Sequence, residues 1–155
     1  MFPFDLVGAM RLRPSKYPNG ELAVVNRIAS ALDEAQATDV QVDDNTVRFR
    51  NDFFRPFVYR GNVLTPYGSG RFEVSSEPDA IRVRYALNMA RMLVPAAVGL
   101  VIVAAIILWG RSLELVVMLA LASLAIFAAN YVVSALFFWI WLRWKLRGLR
   151  QLQER

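Results

Sequence analysis

The sequence predicts an α+β membrane protein: an N-terminal soluble domain of one helix plus an antiparallel β-meander, followed by a two-helix transmembrane hairpin. Three observations carry this expectation. Residues 92–110 and 115–142 are two runs with no charged side chain, and a helix needs roughly 20 apolar residues to cross a hydrocarbon core of about 30 Å. Only Arg111-Ser112-Leu113-Glu114 separates the runs, so two spans there would be antiparallel neighbours. Ahead of them, one stretch with helical spacing of apolar residues precedes several that alternate apolar and polar.

Residues 1–18 open apolar but carry no basic residue ahead of the apolar run, and Asp5 interrupts it, so they do not read as a signal peptide. They fit a short strand, a segment tucked against the domain, or one lying on the bilayer through Phe2, Phe4 and Leu6. Residues 19–37 form an amphipathic helix: Leu22, Val25, Ile28, Ala29 and Leu32 share one face and Asn19 can cap its start. From Thr38 the period becomes two. Val40 and Val42, then Val47 and Phe49, flank Asp43-Asp44-Asn45 as a β-hairpin. Asp39, Asp43, Asp44 and Asp52 do not match a calcium-loop spacing, and turn chemistry accounts for Asp43 to Asn45.

Residues 57–59 and 62–65 read as short strands around an Arg60-Gly61-Asn62 turn. Pro66 to Gly70 reads as a loop, without the spacing of a phosphate-binding one. Residues 71–75 form a strand, Ser76 to Asp79 a turn, and Ile81, Val83, Tyr85 and Leu87 the clearest strand in the chain. Residues 1–90 thus make the soluble domain. Residues 91–144 make the hairpin, with spans at about 92–110 and 115–142, and residues 145–155 make a basic tail. Pro95, one turn into the first run, suits a helix start. At about 1.5 Å per residue the second run is about 42 Å long, against about 28 Å for the first, so it continues beyond the bilayer.

The net charge of +5 is unevenly placed: residues 1–90 hold 11 basic and 11 acidic groups, residues 91–155 seven and two. Arg82, Arg84 and Arg91 precede the first run, and Arg143, Lys145, Arg147 and Arg150 follow the second. These flanks predict that both termini are cytosolic and that the basic groups set topology or meet lipid headgroups. Trp139, Trp141 and Trp144 suit an interfacial belt at that end, and Trp109 one at the other. Sixteen of the 18 basic residues are Arg, which we take as the codon bias of a GC-rich bacterium and hence an inner-membrane location.

There is no Cys and no His, which removes thiol chemistry, disulfides and the commonest general base and metal ligand. No catalytic, cofactor or metal site is expected, and the soluble domain shows no basic patch for nucleic acid. The candidate residues lie in the apolar runs instead. At about 100° per residue, Ser123 lies about 20° from Asn130 and Ser134 about 40°. A polar stripe of this kind avoids lipid and either glues helices together or lines a conduction path. Ala125 and Ala128 on the opposite face, and Gly99 in the first run, permit close helix packing.

The expected function is that of a non-enzymatic integral membrane subunit. It would anchor a small cytosolic interaction domain, contact membrane lipids, and pack with partner subunits or copies of itself. The alternatives are a homo-oligomeric pore lined by the stripe and, less favoured, a membrane-tethered enzyme.

Overall fold

The structure, a computed structural model, describes residues 5–13, 20–51, 63–108 and 113–147. Strand β1 spans Asp5–Leu12, helix α1 Gly20–Glu34, β2 Asp39–Asp43, β3 Thr46–Arg50, β4 Ser69–Glu77 and β5 Ala80–Asn88. A 3-10 turn over Ala90–Met92 leads into α2, Leu93–Leu108, and α3 runs from Leu113 to Arg147. The five strands form one antiparallel sheet in the order β1-β5-β4-β3-β2.

Alternation in the sequence decides which face is covered. Val47, Phe49, Phe72, Val74, Ile81, Val83, Tyr85 and Leu87 all point to one side and are buried there, as side chains two apart on a strand must. Val24, Val25, Ile28, Ala31 and Leu32 of α1 cover part of that side. The rest is covered by α3: Phe138, Leu142 and Leu146, four residues apart on one helical face, are 0–1% exposed. Burying each side chain of this size stabilises by about 1.5–3 kcal/mol, so the end of α3 belongs to the core of the sheet domain.

The two-helix transmembrane hairpin is not observed. Among the described residues only α3, with 35 residues, is long and apolar enough to cross a membrane. Helix α2 has 16 residues, about 24 Å of helix against a core of about 30 Å. The 3-10 turn, closed by Met92 N donating to Met89 O at 2.9 Å, takes Met92 from the start of the first run, and residues 109 and 110 at its end lie outside the described residues. The second exceeds a span because its last residues dock on the sheet. Pro95 falls in the first turn of α2, where a missing N–H goes unnoticed.

The soluble part is also more sheet than a helix-plus-meander. Strands β2 to β5 are the meander, and β1 adds a fifth strand beside β5 at the far edge. Of the three options for the chain start, residues 5–12 take the strand; Phe2 and Phe4 lie outside the described residues. β4 begins at Ser69, inside the expected loop, because the Phe49 ring and Leu87 fill the space a side chain on Gly70 would take. Val63 to Pro66 form a turn in place of the expected strand. The expected strand at 57–59 and the Asn19 cap lie outside the described residues. Leu22 stands exposed at 61%, outside the packed stripe of α1.

Candidate functional site

One face of α3 serves two neighbours in succession. Toward its start Val116 is buried, and Ser123 Oγ lies 3.7 Å from where a Cβ on Gly99 of α2 would sit. Farther along, the same face meets the sheet: Tyr131 packs at the margin of the core and Phe138 at its centre. The Phe138 ring lies 5.3 Å from Tyr67 and 5.4 Å from Tyr85, both edge-on, and 5.7 Å from Trp141. Edge-to-face rings at these separations contribute beyond their area.

The changeover falls at Ser134, whose carbonyl accepts a hydrogen bond from the Tyr67 hydroxyl at 2.9 Å. Burial, reinforced by the neighbouring Tyr85 and Tyr131 hydroxyls, pushes the Tyr67 hydroxyl well above the ordinary range of a phenol, so it remains a donor. Tyr67 is held in turn by Asn51, whose buried amide donates to the carbonyls of Leu64 at 3.3 Å and Tyr67 at 3.0 Å.

At the far end, α1 clamps α3. Arg27 Nε donates to the Lys145 carbonyl at 3.1 Å, one of the last-turn carbonyls that a helix leaves without a partner. Glu34 forms ion pairs with Lys145 and with Arg27, the latter at 3.4 Å. Its hydrogen bond from Lys145 holds the Glu34 carboxyl below its ordinary value of 4.5, with the charges of Lys145 and Arg27 adding to the effect. A carboxyl lowered in the folded state contributes stability that is present above its ordinary value and lost as pH falls through the lowered one. Acidification therefore loosens the end of α3, seen as a change in Trp141 fluorescence, and Glu34→Gln removes that acid step. Glu34 is half-exposed, so solvent screening keeps the effect small.

The residues singled out in the sequence disperse along this frame. Ser123 faces α2 and returns its hydroxyl to Leu119 O at 2.8 Å. Asn130, Ala125 and Ala128 are exposed, and Gly99 is half-buried. The Arg143 guanidinium lies 5.0 Å over the exposed Trp139 ring, and the Lys145 ammonium 5.2 Å over Trp144. Arg82 bonds Glu77 at 3.0 Å. Arg84 is exposed on β5, Arg91 half-buried in the 3-10 turn and Arg147 exposed. Arg150 and Trp109 lie outside the described residues.

Sequence reasoning missed Tyr67, Asn51, Arg27 and Glu34. Arg27 and Glu34 stand two turns apart on the polar face of α1, a spacing the sequence shows without naming their partner; nothing local marked Tyr67. Among the described residues no three acidic side chains converge as a metal site would require. No protein-family model matches this chain, and no curated protein or solved structure matches it.

Proposed function

We propose that the protein is a non-enzymatic integral membrane subunit. In this reading the stretch of α3 from about Leu115 to Ser134, about 30 Å of helix, is inserted in the bilayer with α2 packed beside it, and holds the sheet domain at the surface. The domain and the end of α3 share one core, so they lie on the same side. Arg143, Lys145 and Arg147 at that end of α3 favour the cytosol, in a bacterial inner membrane.

Asn130 carries the reading. It is an exposed amide in the middle of an otherwise apolar and exposed helical stretch. An amide facing lipid is costly, and a partner helix, from another subunit or a second copy, relieves it. Exposed Ala125 and Ala128 on the opposite face give a second close-packing surface. A pore has less support, because Ser123 turns its hydroxyl back to its own helix.

Asn130→Leu is expected to weaken association by about 0.6–1.7 kcal/mol, roughly 3- to 20-fold. Titrating the mass of the complex against detergent would show this as earlier dissociation. Unchanged dissociation overturns the proposal.

A further inference from the structure

The side of the sheet turned away from α1 and α3 holds a concavity of about 350 Å³ lined by Asp5, Arg48, Ser69, Arg71, Ala86 and Asn88 among others. That is the low end for ligand pockets, enough for a small polar group. We propose that it seats the headgroup of a phosphoethanolamine lipid, the phosphate on Arg48 and Arg71 and the ammonium on Asp5. The proposal rests on α3 being inserted in a membrane.

Level is the first argument. Ser69, Asn88 and Asp5 form one row across β4, β5 and β1, the last before the chain leaves β5 for α2. Gly68 N donates to Asn88 O at 3.0 Å, and the adjacent Tyr67 reaches Ser134 O at 2.9 Å. The row therefore lies within about one tyrosine side chain of Ser134, where the proposed inserted stretch ends. The headgroup layer adds about 5–7 Å beyond the hydrocarbon, and the concavity opens into that layer.

Charge is the second argument. Arg48 and Arg71 stand directly opposite in the β3–β4 register, and like charges so placed destabilise a sheet. Arg71 pairs with Glu73 at 2.8 Å, whereas Arg48 has no ion pair among the described residues. Two guanidiniums side by side suit a phosphate. On the other flank Asp5 Oδ1 accepts from Asn88 Nδ2 at 3.2 Å, leaving Oδ2 as an acceptor for an ammonium. Asp5 and Arg71 lie two strands apart and two residues out of register, about 12 Å between backbones, a gap that the arginine side chain narrows.

Among the lining groups Arg48 and Arg71 outweigh Asp5 by one positive charge, which suits a phosphate, and Asp5 is the group that can meet an ammonium. A phosphocholine has no N–H for Asp5, and a phosphoglycerol brings no cation to it. Phosphoethanolamine satisfies both flanks.

The full chain, purified in mild detergent and offered an equal mixture of dioleoyl phosphatidylethanolamine, phosphatidylcholine and phosphatidylglycerol, tests this by native mass spectrometry. The expected result is retention of the ethanolamine lipid over the other two by about tenfold. Arg48→Gln abolishes that preference, and Asp5→Asn turns it toward phosphatidylglycerol. Arg48→Gln relieves a like-charge pair and leaves thermal stability equal or higher, so its loss of lipid is not a loss of fold. Equal retention of the three lipids by the unaltered protein, or a preference that survives both substitutions, overturns the inference. A chain that stays in the aqueous phase without detergent overturns the membrane reading itself, a distinct outcome.

Discussion

Phe138→Ala is expected to cost about 3–5 kcal/mol and to release the end of α3 from the sheet. The side chain is fully buried, and its ring is shared by Tyr67, Phe72, Tyr85 and Trp141. Residues from the loop before β4, from β4, from β5 and from α3 itself thus lose one common partner, and rigid rings cannot collapse into the space. Chemical denaturation in detergent, followed by tryptophan fluorescence, would show a lower midpoint. Trp141, beside the lost ring, would become more solvent-exposed. Phe137→Ala, one position along, serves as the control: Phe137 is 62% exposed and outside this cluster, so the stability of the sheet should barely move. Equal losses from the two substitutions would mean that α3 does not dock through this face.

Gly70→Val should be the next most damaging change, at the upper end of the roughly 1–3 kcal/mol that overpacking costs. A Cβ at Gly70 would fall well inside contact distance of Phe49 Cε1 and Leu87 Cδ2. Those two side chains are 3% and 0% exposed, so neither has free space to move into. Phe49 and Leu87 are its direct neighbours across β3 and β5, and the displacement would spread through three strands. Gly70→Ala should do less harm, and Phe49→Leu in the same chain should recover part of the loss by vacating the ring. A thermal-unfolding cycle over the four proteins measures that coupling; strict additivity would contradict the packing described.

The strands that were legible are those with one wet and one dry side. Ile81 to Leu87 alternates without a break because β5 lies between two neighbours and faces the core along its length. The hairpin of β2 and β3 was legible from its alternation and turn residues, with Asp44 at the turn adopting a positive φ of 45°, although only β3 has a dry side and Val42 of β2 is 51% exposed. Two kinds of feature were hidden. Gly70 imitates a loop because what fills its place belongs to the neighbouring strands. The run from Leu115 to Leu142 imitates a single membrane span because lipid tails and a protein interior accept the same residues. Phe138 and Leu142 are as apolar as Leu121 and Leu124, yet the first pair is buried against rings and strands and the second pair is exposed. What separates them is the partner, and the partners Tyr67, Phe72 and Tyr85 lie more than 50 positions earlier in the chain. The polar stripe was visible as a pattern, but its members part company: Ser123 looks to α2, Ser134 to Tyr67, and Asn130 outward.

Helix α3 contains neither proline nor glycine between Leu113 and Arg147, and its docked end is gripped by an aromatic cluster and a salt-bridged clamp. It therefore acts as a shaft keyed into its head. Any swivel or lean imposed on the end nearer Leu113 arrives at the five strands undiminished, with no joint between to absorb it.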